Sequence, residues 1–221
     1  MHIIIVNASP YCGNDSNTKM IADTFRKSIS ETENEVTVYS LSDRNQWKSA
    51  LKSIIDNKNI VFVMPVYVGI VPSIFKEFVE QLDELLTEDS RKQLNLSFIL
   101  QSAFPESSQR VCGEKFLKGL TESLNCNFSG VLSHSVFWGL IDQGNFNSLT
   151  EAYTYFGKRY VENNFNFFFP EAVGFNGPEQ LTEQQARKFV RGFNFMCRLN
   201  AEENGGVKEL CINPLNSQQN V

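Results

Sequence analysis

Two short segments of this chain carry the side chains that could bind a ligand. The first runs from Asn7-Ala8-Ser9-Pro10 to Ser16-Asn17-Thr18 and supplies three hydroxyls directly after an apolar run. The second, Pro65-Val66-Tyr67-Val68-Gly69, also follows an apolar run and combines an aromatic ring with a glycine. Hydroxyls and free backbone N–H groups at the start of a helix bind anions. The first segment therefore predicts a phosphate site, and the second predicts a flat support beside it.

The two segments together suit a planar, phosphorylated cofactor. The predicted phosphate ligands are Ser9, Ser16, Asn17 and Thr18. Tyr67 offers the face or edge of its ring, and the backbone from Pro65 and Val66 through Val68 and Gly69 offers donors at close approach. Each half has an ordinary alternative, because Ser16-Asn17-Thr18 could only cap a helix and Tyr67 could only pack.

Five apolar runs bounded by turn-forming residues must position these segments. They predict β-strands at residues 3–6, 36–39, 60–64, 96–100 and 130–137. Amphipathic stripes between the runs predict helices. Three helices show a clear apolar stripe: the first through Ile21, Phe25 and Ile29, the helix after the third strand through Phe75, Phe78, Val79, Leu82, Leu85 and Leu86, and the helix after the fourth strand through Cys112, Phe116, Leu120 and Leu124. Near-continuous apolar strands alternating with helices predict an α/β fold with a parallel sheet.

Two further helices are expected beyond the fifth strand. Ser148 with Glu151, and Thr182 with Gln185, have the spacing of capping boxes. The aromatic tract 165–170 between them is expected to pack these helices on the sheet, with a dimer contact or an active-site wall as alternatives. We therefore predict a single domain over residues 1–221, with a core at about 1–135, a helical extension at about 136–204 and a loose tail at 205–221.

Composition narrows the classes of partner. The chain has 221 residues, 42% of them hydrophobic and 20% charged, which is typical of a soluble globular protein. A net charge of -5 without a basic patch argues against nucleic acid and against an anionic membrane surface. The two histidines and five scattered cysteines favour free thiols and no metal site. Without a leader or apolar span in the sequence, we expect a cytoplasmic protein that acts on small molecules.

Several common nucleotide and catalytic motifs are absent from the sequence. No G-x-G-x-x-G follows the first strand, no G-x-x-x-x-G-K-[ST] occurs, and no G-x-S-x-G elbow is found. A phosphoacceptor receiver would carry carboxylates where Asn7 and Met64-Pro65 stand. Neither histidine has an evident nucleophile partner, so His134 is interpreted as a core or edge residue rather than a catalyst.

The two ligand-binding segments resemble motifs of the flavodoxin-like NAD(P)H-dependent FMN reductase and quinone reductase family. The first segment resembles that family's phosphate loop, G-S-P-R followed by S-x-T, although Ala8 replaces a glycine and Tyr11 replaces a common arginine. The second segment and Pro72-Ser73-Ile74-Phe75-Lys76 resemble its flavin-ring loop, P-x-Y-x-x-x-x-P-x-x-x-K. A third piece, Gln101-Ser102-Ala103-Phe104-Pro105-Glu106, stands where the family's third loop meets the ring.

The resemblance implies a fold, a cofactor and an activity. The fold would be a flavodoxin-like, doubly wound, five-stranded parallel sheet of order 2-1-3-4-5. FMN would be the cofactor, with Gln101, Ser102 and Phe104 as additional contacts. NADH or NADPH would donate hydride, and a quinone, free flavin, azo or nitro compound would accept the electrons. The resemblance also implies a homodimer and no catalytic side chain, since the cofactor supplies the chemistry.

Two other functions remain open from the sequence. A flavodoxin-type electron carrier would use the same loops but dock protein partners, although such carriers are usually shorter and more acidic. A flavin-less scaffold with this fold is the third possibility, because fold alone does not fix function.

Overall fold

The strands form one parallel sheet. The computed structural model describes residues 1–11, 13–14, 16–136 and 148–205. The strands are β1 (His2–Asn7), β2 (Glu35–Ser40), β3 (Asn59–Pro65), β4 (Asn95–Ser102) and β5 (Asn127–Ser135), in the order β2-β1-β3-β4-β5. Every pairing is parallel. The predicted order and fold class are confirmed.

Helices cover both faces of this sheet. They are α1 (Asn17–Ser30), α2 (Trp47–Asp56), α3 (Ser73–Leu85), α4 (Glu88–Gln93), α5 (Val111–Ser123), α6 (Leu149–Glu162), α7 (Pro170–Gly174) and α8 (Glu183–Glu203). The apolar core between the sheet and α2, α3 and α5 lies on one face, and the core between the sheet and α1, α6 and α7 lies on the other. Because β3 is central, each of its residues is buried.

The predicted stripes of α1 and α3 largely match their buried faces. Ile21, Phe25 and Ile29 are all fully buried in α1. In α3 the buried residues are Phe75, Phe78, Val79 and Leu82, whereas Leu85 is exposed. Pro72 is the N-cap residue of α3 rather than part of its first turn.

The predicted face of α5 is right at the end of the helix and wrong at its start. Leu124 is buried and Leu120 packs partly buried against the core, whereas Cys112 and Phe116 are exposed. The buried residues within the helix are Gly113, Leu117 and Thr121, and Arg110, directly before it, is also fully buried. A Cβ at Gly113 would lie 3.5 Å from the carbonyl oxygen of Gly69, so a small residue lets α5 pack beneath the turn after β3.

The aromatic tract packs α6 on the sheet, as predicted, but the expectation that it also packs the last helix, α8, is wrong. Phe167 and Phe169 are buried against α1 and α6, but Phe168 remains exposed. The Thr182 capping box at α8 is confirmed, and Ser148 caps α6 by accepting from Glu151 N. No residue of α8 is buried.

Three expectations fall wholly or partly outside the described residues. They concern the end of the fifth strand at Phe137, the tail from residue 206 onward, and the loop positions Cys12 and Asp15. Among the helices that the structure does describe, none combines the length and apolarity needed to cross a bilayer.

Candidate functional site

Three loops meet at one edge of the sheet. They follow β1, β3 and β4, which are neighbours, and their strands are parallel, so all three loops leave the same carboxyl edge. This edge is where ligands bind in open α/β folds. The site residues predicted from the sequence lie in these loops or at the ends of the strands and the helix that border them.

The hydroxyls of Ser9 and Ser16 first stabilise the loop that carries them. Asn7 Oδ1 accepts from Ser9 N at 3.0 Å, and Ser9 Oγ accepts from Tyr11 N at 3.1 Å. Ser16 is the N-cap of α1: its Oγ accepts from Lys19 N and donates to Tyr11 O, both at 3.3 Å. Both serines are buried. The cap interpretation of Ser16 is therefore correct, and it is compatible with a ligand at the same helix end.

The start of α1 retains donors for an anion. Within the described part of the chain, the backbone N–H groups of Asn17 and Thr18 have no acceptor. Thr18 Oγ1 accepts from Gln101 Nε2 at 3.1 Å, which leaves the hydroxyl proton of Thr18 available to another acceptor. The positive end of the helix dipole adds to this preference for negative charge. These groups fit a phosphate.

A tight turn follows β3. Tyr67 N donates to Ile70 O at 2.9 Å and Ile70 N donates to Tyr67 O at 3.0 Å, so residues 67–70 form a two-residue hairpin turn. Val68 and Gly69 both have positive φ, +51° and +79°. That conformation is costly for a β-branched residue such as Val68, whose side chain is almost fully exposed. The turn presents backbone rather than bulk toward the neighbouring loops.

The loop after β4 connects the other two. Val66 N donates to Gln101 O at 2.8 Å, and the Gln101 side chain reaches Thr18 at the start of α1. Ser102 Oγ donates to Phe104 O at 2.9 Å and shapes the next turn. Gln101 thus ties the predicted phosphate loop to the predicted ring loops, and the buried pair Gln101 and Thr18 fixes their spacing.

Exposed apolar side chains project from these loops. Tyr11, Tyr67 and Phe104 have exposed fractions of 54%, 52% and 55%, and Val68 and Ile70 are exposed beside Tyr67. Aromatic rings held in the open at a sheet edge are suited to contact a planar ligand. We call these exposed side chains the rim. The rim is consistent with the prediction that Tyr67 and Phe104 contact a ligand, and it adds Ile70, which the sequence analysis did not name.

Arg110 is the residue that sequence reasoning missed. Its guanidinium donates from Nε to Ser133 Oγ at 2.9 Å, and from Nη1 to Ser102 Oγ at 3.0 Å and Phe104 O at 2.9 Å. Nη2 donates to the Asn176 backbone and side-chain oxygens. Desolvation lowers the Arg110 pKa to about 10, so the group remains a cation at neutral pH. An arginine before an apolar helix suggests a solvated residue, so no local signal reveals this role.

His134 is a core residue, as predicted. Its Nδ1 forms a 2.7 Å hydrogen bond with Tyr153 OH, and its ring stacks on Phe175 with the centroids 4.8 Å apart. Nε2 is buried without a hydrogen-bond partner in the described structure. Desolvation, with a smaller contribution from Arg110, lowers the His134 pKa to about 3, so the imidazole is neutral at physiological pH.

Two other kinds of site were considered. Over the described ranges, no group of three or more histidine, cysteine, aspartate or glutamate side chains could hold a metal ion. A surface groove of about 660 Å³ lies between α2 and α3, and its lining includes Trp47, Leu51, Lys52 and Leu85. The groove shares no residue with the three loops, and we assign it no part in the site.

Comparisons with known proteins agree with this geometry. Residues 1–84 match the family model Flavodoxin_2, which describes a flavodoxin-like fold. No curated protein matches the sequence significantly. The FMN-dependent NADH-azoreductase from Bacillus anthracis str. Ames Ancestor, solved in complex with FMN, has a TM-score of 0.56 and 12% identity over 75% of this chain and 100% of that one.

Two further solved structures are similar. The NADPH-quinone reductase from P. pentosaceus has a TM-score of 0.56 and 15% identity, covering 71% of this chain and 98% of that one. The two-electron reduced flavodoxin from Megasphaera elsdenii has a TM-score of 0.50 and 14% identity, covering 72% and 98%. At such identities the likeness shows the fold, and it confirms the predicted resemblance to flavodoxin-like proteins at that level.

Proposed function

We propose that this chain, which has a flavodoxin-like fold, is an FMN-binding oxidoreductase. It would take electrons from NADH or NADPH and pass them to a small acceptor such as a quinone or a flavin. The supporting observation is the cluster of donors at the start of α1, bound through Gln101 to the two loops on the other side of the site. We also propose, from the resemblance alone, a cytoplasmic homodimer.

The residues have separate tasks in this proposal. Backbone N–H groups of Asn17 and Thr18, with the Thr18 hydroxyl, would bind the phosphate, and Ser9 and Ser16 would hold the loop in shape around it. Charge-assisted hydrogen bonds of this kind are the strong ones. The turn at residues 67–70 would support the ring from its backbone. When bound, FMN supplies the hydride and electron chemistry, so no side-chain acid or base is required.

The phosphate assignment is tested with Thr18→Ala combined with Ser16→Ala. The loss of the charge-assisted hydrogen bond from the Thr18 hydroxyl costs about 1.5 to 3 kcal/mol, and the loss of the Ser16 cap loosens the loop around it, so the double variant should bind FMN at least about 10-fold more weakly. The measurement is the Kd for FMN from the quenching of flavin fluorescence.

The control is Thr87→Ala. Thr87 caps α4 through Ser90 N, so the variant also loses a helix cap, but α4 precedes β4 and lies at the opposite edge of the sheet. We expect its Kd for FMN to equal that of the wild type. Equal affinity of all three proteins would refute the phosphate assignment, and failure of the wild type to bind FMN would refute the function.

An electron carrier is the second candidate, and one observation favours it. The exposed rim around Tyr67 and Val68 could also meet a protein partner. Rapid anaerobic bleaching of the bound FMN by NADH or NADPH is the result expected for the reductase. A yellow protein that is bleached by neither NADH nor NADPH would support the electron carrier. A protein that cannot be reconstituted with FMN would leave the flavin-less scaffold as the remaining function.

A further inference from the structure

Arg110 is a buried cation that forms no salt bridge within the described residues. Its side chain has no exposed surface, and its hydrogen-bond acceptors are all neutral: hydroxyl, amide and backbone carbonyl oxygens. The carboxylates of Glu114 and Glu106 act on this charge through space, and Glu114 is also linked to it through Asn176, whose Nδ2 donates to Glu114 Oε1 at 3.4 Å. A buried charge is normally paired, because an uncompensated one costs the folded state several kcal/mol. A buried guanidinium held by neutral acceptors rather than by a salt bridge therefore calls for a function.

The position of this charge points to the candidate site. Two of the acceptors, Ser102 Oγ and Phe104 O, belong to the loop after β4, and both residues are among the predicted ring contacts. A third, Ser133 Oγ, lies near the end of the neighbouring strand β5. The guanidinium is therefore held directly behind the loop that would meet the cofactor ring.

We infer that Arg110 raises the reduction potential of the bound flavin through its buried positive charge. This inference rests on the proposed function. A hydride carries two electrons and one proton, so its addition to the neutral ring leaves one negative charge there. A fixed cation close by stabilises that charge and leaves the oxidised, neutral ring unaffected. Arg110 does not touch the cofactor in this role; it acts by its charge and by positioning Ser102 and Phe104.

The expected size of the effect is accessible to measurement. With an effective dielectric constant of about 20, a unit charge within about 10 Å changes an equilibrium that creates an opposite charge by roughly tenfold. For a two-electron couple a tenfold change corresponds to about 30 mV.

The first measurement uses the wild-type protein reconstituted with FMN. Its two-electron midpoint potential is determined by anaerobic equilibrium titration against a reference dye and compared with that of free FMN. By linkage, we expect a higher potential in the bound state and tighter binding of reduced than of oxidised FMN. Because the bound potential sums the effects of every group around the ring, this value serves as the reference from which the share of Arg110 is measured in the variants.

Variants separate charge from structure. Arg110→Met and Arg110→Lys both lose the fork of hydrogen bonds to the loop, but only the lysine variant retains the charge. We expect both to have a lower Tm, whereas the potential falls by about 30 mV only in Arg110→Met. Arg44→Met is the matched control, because Arg44 is exposed and paired with Glu77 on the α2 side of the molecule.

The outcomes are distinct. An unchanged potential in Arg110→Met, or an equal fall in both Arg110 variants, would mean that Arg110 only fastens the loop. If Arg110→Met does not fold, Arg110→Gln, which removes the same charge but retains a hydrogen-bond donor, is measured in its place with the same expected fall of about 30 mV. A wild-type protein that does not take up FMN contradicts the proposed function instead, and it is recognised by the missing flavin spectrum before any potential is measured.

Discussion

The contact between α1 and α6 gives the sharpest test of the packing. A Cβ added at Gly157 in α6 would lie 2.7 Å from both Cβ and Oγ of Ser28 in α1, and 3.3 Å from Phe25 O. Carbon atoms in contact normally lie about 3.5 to 4.0 Å apart. Ser28 cannot turn away without breaking its hydrogen bond to Thr154 O. Gly157→Ala must therefore push the two helices apart.

The magnitude follows from three contributions. Overpacking of a filled interior costs about 1 to 3 kcal/mol, and loss of the Ser28 hydrogen bond costs about 1 kcal/mol. Replacing a glycine within a helix by alanine returns about 1 kcal/mol. We expect Gly157→Ala to lower the free energy of unfolding by about 2 kcal/mol, which for a chain of this length lowers Tm by about 6 °C.

The matched control is Gly119→Ala in α5. An added Cβ at Gly119 has no heavy atom within 4 Å, so only the gain in helix propensity remains, and this variant should be more stable by about 0.5 to 1 kcal/mol. Urea unfolding followed by circular dichroism measures both. If Gly157→Ala were as stable as Gly119→Ala, the close packing of α1 on α6 would be refuted.

Two further predictions concern titratable groups. The pKa of His134 is about 3 in the folded chain and about 6.5 when unfolded, so between these values only the unfolded chain binds the proton and stability falls as pH falls. The wild type should lose about 2 kcal/mol more than His134→Gln between pH 7 and pH 5 in urea unfolding, and equal losses would contradict the assignment. Desolvation raises the pKa of Cys126 to about 11, so iodoacetamide at pH 8 should alkylate exposed Cys112 and Cys197 well before Cys126, as mapped by mass spectrometry; early labelling of Cys126 would show that it is accessible.

The sheet was predictable because its signal is local. A run such as Ile60-Val61-Phe62-Val63-Met64 is apolar at every position, and a central strand buried on both faces needs that composition. The face of α5 was not predictable in the same way. Beside Leu117, its buried side includes Gly113 and Thr121, and Arg110 is buried directly before it; these residue types carry no apolar signal, and only contacts with distant parts of the chain explain their burial.

The loops that form the site were predictable from the sequence, but the hydrogen bonds that connect them were not. The spacing of Ser16 and Thr18 after a strand identified the first loop, yet the sequence could not separate the cap at Ser16 from the spare hydroxyl at Thr18. The hydrogen bond between Thr18 and Gln101 joins residues 83 positions apart. Such a bond depends on the order of the strands, since β3 lies between β1 and β4.

The exposed turn at residues 67–70 has a consequence for selectivity. Tyr67 is 52% exposed and Val68 is 97% exposed, so this turn forms a ledge rather than a wall. A flat group resting on such a ledge would keep its outer side open to the solution. Under the proposed function, few contacts would then select incoming molecules by shape, and the difference in reduction potential would decide which of them is reduced. Such a site would accept many flat, electron-poor compounds.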